Sequence, residues 1–186
     1  MKNIVKKIIK NSPRLNRLVY IQGIGVRVPL SKVIVNYIIN FLLRQNTSSS
    51  YPVNYRTTVV SGEKLHLKGS KNGTLSSLIV SSGCYLQAGN GIEIDEGTIW
   101  APNVVMVSAN HDMENETKQW QSAKPIKIGK HCWIGANAVI LPNVVLGDNV
   151  VVGAGAVVTK SFPDGNVVIA GNPAKVIKHS QSSINH

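Results

Sequence analysis

The sequence predicts an all-β solenoid, a parallel β-helix with a helical N-terminal arm and one extended loop. Three observations carry this expectation. Ile128, Ile134, Ile140, Leu146, Val152 and Val158 follow one another at a spacing of six without a gap. Three residues after the first five of them stand His131, Asn137, Asn143, Asn149 and Gly155. Asn and Gly tolerate positive φ, so this position reads as a corner. The 186-residue chain is 43% hydrophobic but only 5% aromatic, so its core must be aliphatic, which suits flat, repetitive β packing.

The arm comes first. Residues 1–50 form a basic, Ile/Leu-rich segment, helical in two pieces with breaks near Pro13 and Pro29, and ending in the polar linker Asn46–Ser50. The net charge of +11 is concentrated here: no acidic residue precedes Glu63. That asymmetry points to an anionic partner, or else serves solubility alone. Aromatics that would stack on bases are not interleaved with the cations, so nucleic acid is not expected. The apolar run Val33–Leu43 is too short to span a bilayer. Peripheral membrane contact and capping of the core are both open to it. The start of the chain lacks the pattern of a signal peptide. Cys84 and Cys132 form no CxxC pair, and a reduced, cytoplasmic setting is expected.

The β-helix is expected over 51–172, with the helical period gone from Tyr51 onward, and residues 173–186 as a C-terminal tail. Upstream, the inward aliphatic slot holds Ala88, Ile94, Trp100 and Met106, and the corner slot Gly91, Gly97 and Asn103. Three six-residue units make one triangular coil, which buries its apolar edge only by stacking on the next. Met106 and Ile128 are 22 residues apart, so the register is broken once, by the polar excursion 111–125. A loop leaving an otherwise strict solenoid usually has a function.

The stretches WIGANAVI, VVGAGAVVTK and AGNPAKVIK within Pro125–Lys178, together with APNVVMVSANHD at Ala101–Asp112, resemble the hexapeptide-repeat acyltransferases. The resemblance implies a left-handed β-helix, a homotrimer with active sites between subunits, and acetyl-CoA as donor. The subgroup it resembles is the sugar O-acetyltransferases, including galactoside, maltose and nodulation enzymes and those that decorate capsule, O-antigen or exopolysaccharide.

On this resemblance His111 is the catalytic general base, since a neutral imidazole suits removal of a hydroxyl proton near neutral pH. The resemblance assigns Trp133 and Ala136 to the pantetheine end of the donor groove, Ala154, Thr159 and Lys160 further along it, and Lys175 and Lys178 to the coenzyme A phosphates. The chain departs from the galactoside enzymes at Ser81, where they carry asparagine, and near Gly89 and Asn90, where they carry an acidic residue. Ser81, Asn90, Asp112 and Trp120 are therefore the acceptor candidates. His131 falls in a corner and Cys132 in a small-residue slot, both read as structural, while Glu93, Asp95 and Glu96 read as solvent-facing.

No metal is expected. A γ-class carbonic anhydrase on the same scaffold would need clustered histidines. A non-catalytic scaffold subunit would not need the NHD sequence or the coenzyme-end motif. Among enzymes, a streptogramin-type xenobiotic acetyltransferase is the main alternative to a glycan enzyme.

Overall fold

The computed structural model describes residues 28–68, 73–114 and 116–179. The first expected helical piece of the arm and the break at Pro13 lie outside these residues. The second piece is helix α1 (Leu30–Leu42), which starts directly after Pro29.

Strands β1 (Thr58–Val60), β2 (Leu65–Leu67), β3 (Tyr85–Gln87), β4 (Ile92–Ile94), β5 (Ile99–Trp100) and β6 (Val105–Val107) precede the excursion. Strands β7 (Ile126–Ile128), β8 (Trp133–Ile134), β9 (Val139–Ile140), β10 (Val145–Leu146), β11 (Val151–Val152), β12 (Val157–Val158), β13 (Val167–Ala170) and β14 (Lys175–His179) follow it. They form three sheets: A, ordered β1-β3-β6-β9-β12; B, ordered β10-β7-β4-β2; and C, ordered β14-β13-β11-β8-β5. From β3 to β12 successive strands visit A, B and C in turn, and every strand pairing is parallel except β13 with β14. The molecule is a triangular prism with a parallel β-helical wall.

The six-residue period sets this geometry. Ile140 pairs with Val158, Ile128 with Leu146, and Ile134 with Val152, each pair one eighteen-residue coil apart. These side chains are 0–1% exposed and stack into one aliphatic column along the prism. The expected corners have the expected backbone: Asn103, His131, Asn137, Asn143 and Asn149 all lie at φ between 57° and 65° or, for His131, at 54°. The His131 ring fills the space above Gly97, where a Cβ would come within 2.3 Å of its Nδ1.

Two expectations are corrected. Met106 pairs with Leu86, not Ala88, so the coil between them holds twenty residues; Ala88 is buried two places on, in a wider turn. The helical period does not vanish at Tyr51, because α2 (Gly73–Val80) packs beside β5 at the end of sheet C. Its GTLSSLIV sequence is β-like in composition, but burial of Thr74, Leu75, Ser77, Leu78 and Ile79 follows a helical face, and the Ser77 hydroxyl accepts the Trp100 N–H at 3.1 Å. Beyond residue 172, β14 closes sheet C as an antiparallel strand. Asn46 is buried, donates to the Thr57 carbonyl at 2.8 Å and accepts the Val59 N–H at 2.8 Å, which stitches the end of α1 to β1.

Glu93 and Asp95 face solvent on sheet B as expected, where Lys68 lies 2.8 Å from Glu93 and 3.6 Å from Asp95. The Lys68 ammonium, hydrogen-bonded to Glu93, holds that carboxyl below its ordinary pKa.

Candidate active site

The excursion leaves the prism at the corner between sheets A and B. Ile94 and Ile128 are partners across it although thirty-four residues apart, so sixteen residues are added to one coil. Both legs of its neck are pinned. Gln87, buried at the end of β3, accepts the N–H groups of Ser108 (3.2 Å) and Ala109 (3.0 Å) on one amide oxygen. The Ser108 hydroxyl donates to the Gln87 carbonyl at 2.9 Å and accepts the Asn90 N–H at 2.9 Å. The Asn90 amide then donates to Ser108 O (3.1 Å) on the outgoing leg and to Gln121 O (2.8 Å) on the returning one. Beyond this neck, His111 and Trp120 pair as an antiparallel bridge, flanked by Asp112 N–H to Gln119 O and Gln121 N–H to Asn110 O, each at 2.8 Å.

His111 is exposed, and its Nδ1 is hydrogen-bonded to the Lys118 carbonyl. A carbonyl only accepts, so Nδ1 carries the hydrogen and, in the neutral ring, Nε2 is left with a free lone pair. Asp112 does not orient this ring: its carboxylate accepts the Glu114 N–H at 3.0 Å in a local turn. The Trp120 indole lies against Gly89, where a Cβ would come within 2.5 Å of its Cε3.

Ser81 is placed elsewhere. It is buried, and its hydroxyl donates to the Trp100 carbonyl at 2.7 Å, so it is a framework residue and offers nothing to an acceptor. Asn90 sits at the neck, but its amide is committed to the excursion. Gln87 and Ser108, which complete the neck, escaped the sequence reading. The period did not mark them: Gln87 lies between Leu86 and Ala88, outside the inward aliphatic slot.

The donor candidates are distributed around sheet A and onto sheet C. Ala136 and Ala154 stack on the C–A corner, joined by the Gly155 N–H to Ala136 O bond at 2.8 Å. Thr159 and Lys160, both exposed, follow β12 at the A–B corner, the edge from which the excursion leaves. Trp133, 55% exposed, projects from sheet C in one row with Ile99, Val151, Val168 and Lys178. Lys175 stands on the same strand as Lys178, β14, and pairs with Ala170. In a triangular prism the A–B corner is opposite sheet C. A single chain therefore holds His111 and Trp133 on opposite sides.

Local packing keeps the C–A corner low. A Cβ at Gly135 would come within 2.6 Å of Ala154 N, whereas one at Gly155 would meet nothing within 4 Å. Among the described residues there is no group of three or more His, Cys, Asp or Glu side chains able to hold a metal ion.

Fold and repeat together define a parallel β-helix built on a six-residue repeat. The family model for the bacterial transferase hexapeptide (six repeats) matches residues 125–160. Nodulation protein L of Rhizobium meliloti is 48% identical over 87 residues, 46% of this chain and 47% of that protein. A Dictyostelium discoideum protein provisionally named an acetyltransferase is 57% identical over 89 residues, 47% of this chain and 46% of that one. The chain spans about half the length of these curated relatives. A solved structure of galactoside acetyltransferase in complex with coenzyme A is 30% identical, with a TM-score of 0.55, over 66% of this chain and 58% of that one. These likenesses give the fold as the left-handed parallel β-helix of hexapeptide-repeat proteins.

Proposed function

We propose that this chain is an acetyl-CoA-dependent O-acetyltransferase acting on a sugar hydroxyl, with His111 as the general base. The observation that carries the reading is the His111 ring held through Nδ1 by the Lys118 carbonyl, at the mouth of the one excursion from the solenoid. That bond presents Nε2 as a base of fixed direction. The acceptor hydroxyl gives its proton to Nε2 while its oxygen attacks the thioester carbonyl. The resulting oxyanion collapses, the C–S bond breaks, and the coenzyme A thiolate leaves and takes the proton from the imidazolium. Ala136, Ala154, Thr159 and Lys160 would line the donor's path, Trp133 would cover its pantetheine end, and Lys175 and Lys178 would meet its phosphates.

The placement of His111 and Trp133 on opposite sides of one prism supports a homotrimer in which two neighbouring chains complete each site. The similarity to a galactoside acetyltransferase complex with coenzyme A supports a saccharide acceptor and this donor. Trp120 seated on Gly89 gives the acceptor side its own shape, and we assign that side to a glycan of capsule, O-antigen or exopolysaccharide assembly. The acid-free stretch before Glu63 supports a cytoplasmic position beside an anionic membrane face. A streptogramin-type acceptor is the competing reading and shares the histidine. Titration calorimetry with acetyl-CoA, followed by thiol release across a panel of saccharides and streptogramins, separates these readings. Absence of acetyl-CoA binding would favour a scaffold subunit.

A further inference from the structure

Asn90 stands in the turn that joins β3 to β4, one coil before the excursion. The turn is fixed by its own backbone and by both neighbouring coils. Gly91 N–H donates to Ala88 O at 2.8 Å, with Gly91 at φ 97°, a conformation that a side chain would strain. From the preceding coil the Lys64 ammonium donates to Gly89 O at 2.8 Å. From the following coil the Ile126 N–H donates to Gly91 O at 3.1 Å, and the Ser108 hydroxyl accepts the Asn90 N–H at 2.9 Å. The Asn90 side chain therefore starts from a backbone with little freedom.

One amide nitrogen then spans the excursion. It donates to Ser108 O at 3.1 Å on the outgoing leg and to Gln121 O at 2.8 Å on the returning leg. Gln87 and Ser108 grip the outgoing leg, and of the three neck side chains Asn90 alone reaches the returning one. Both anchor points lie close to the proposed base. Ser108 is three residues before His111, and Gln121 directly follows Trp120, the bridge partner of His111. So short a ribbon passes the position of its anchors on to the imidazole. Displacing a reacting group by about 1 Å costs about 10²-fold in rate. The bond to Gln121 is exposed, so its loss should loosen the ribbon and leave the prism standing.

We propose that Asn90 is a positioning residue. Its amide sets where the His111–Trp120 ribbon stands over the prism, and through it where the base meets its substrates. The kinetic consequence rests on His111 as general base; the placement of the ribbon does not. The test uses the full chain and the variants Asn90→Asp and Asn90→Ala. Asp keeps the shape but replaces the donating amide by a carboxylate that only accepts, facing two carbonyl oxygens. Ala removes the amide without adding charge. Hydrogen exchange at Asp112 and Gln121, whose N–H groups close the ribbon, reads how firmly it is held with no acceptor present. Protection there should fall about tenfold or more in both variants at neutral pH, with melting temperature and acetyl-CoA affinity nearly unchanged. In Asn90→Asp it should partly return as pH falls through the carboxylate range, because the protonated acid donates again; in Asn90→Ala it should not. In thiol release from acetyl-CoA with a saccharide acceptor, kcat should fall about tenfold or more in both. Equal protection in wild type and variants overturns the proposal. So does a melting temperature that falls with protection, which makes the role structural. Lost protection with wild-type kcat, where His111→Ala is inactive, overturns it as well. If the wild type turns over no acceptor, or His111→Ala keeps wild-type turnover, the base is removed and protection alone upholds or overturns the placement.

Discussion

His111 and Trp120 face each other as an antiparallel bridge pair just beyond the neck of the excursion, and the Trp120 indole rests on Gly89 of the coil below. The proposed base and the side chain that shapes its surroundings are thus fixed on the same short ribbon. The absence of a side chain at position 89 is what lets that ribbon sit down on the β-helix.

Gly89→Ala should therefore disturb the site without unfolding the protein. A Cβ there would come 2.5 Å from Trp120 Cε3, so the indole must move. We expect a shift in tryptophan emission and a fall in kcat/KM for the acceptor of about tenfold. The affinity for acetyl-CoA should stay within about twofold. Steady-state kinetics with both substrates varied checks the split.

Removing the clamp should act on the same ribbon from beneath. Gln87→Leu leaves the Ala109 N–H without its buried acceptor, while the Ser108 N–H keeps the Gln87 backbone carbonyl at 2.9 Å; the loss should be about 1–3 kcal/mol where water cannot replace the acceptor. Chemical denaturation should show a loss in that range, and turnover should fall with it.

The core should respond as a stack. Ile140 is fully buried between Met106 and Val158 in sheet A, so Ile140→Ala should cost about 2–5 kcal/mol. Denaturant midpoints at constant m-value measure this. By contrast Glu93→Gln, which removes the exposed Lys68 pair, should cost less than about 1 kcal/mol at neutral pH. The Glu93 carboxyl is lowered from 4.5 by its hydrogen bond from Lys68. Its contribution is therefore present above the ordinary carboxylate value and is lost as pH falls through the lowered one. The difference between wild type and variant should vanish in strong acid.

Neither thiol should be reactive in the folded protein. Burial pushes both Cys84 and Cys132 above their ordinary pKa, and both are buried. A thiol reagent should label neither in buffer and both in denaturant.

The wall of the prism was legible because its physics repeats. Each inward aliphatic and each Asn or Gly corner restates the same local rule, so Ile128 to Val158 could be registered from spacing alone. The break between Met106 and Ile128 was visible for the same reason. What the period could not reveal were features that do not recur. Helix α2 replaces a strand once, and its Thr, Ser and Ile residues favour no helix locally; packing beside β5 decides it. The coil from Leu86 to Met106 carries two extra residues, which two candidate inward positions, Leu86 and Ala88, concealed. At the site, spacing located the break that His111 opens and the resemblance singled out His111, but neither marked its partners. The ring is held by the backbone of Lys118, the neck by Gln87 and Ser108, and a residue acting through its carbonyl leaves no mark in its side chain. Ser81 shows the converse, a polar side chain that pointed to an acceptor role and is spent on the Trp100 carbonyl instead.

The most direct measurement is the turnover of His111→Ala in an acetyl-CoA thiol-release assay with a saccharide acceptor, alongside its affinity for acetyl-CoA by calorimetry. The expected result is a loss of about 10²-fold or more in kcat with acetyl-CoA affinity nearly unchanged. Wild-type turnover in the variant would contradict His111 as the general base.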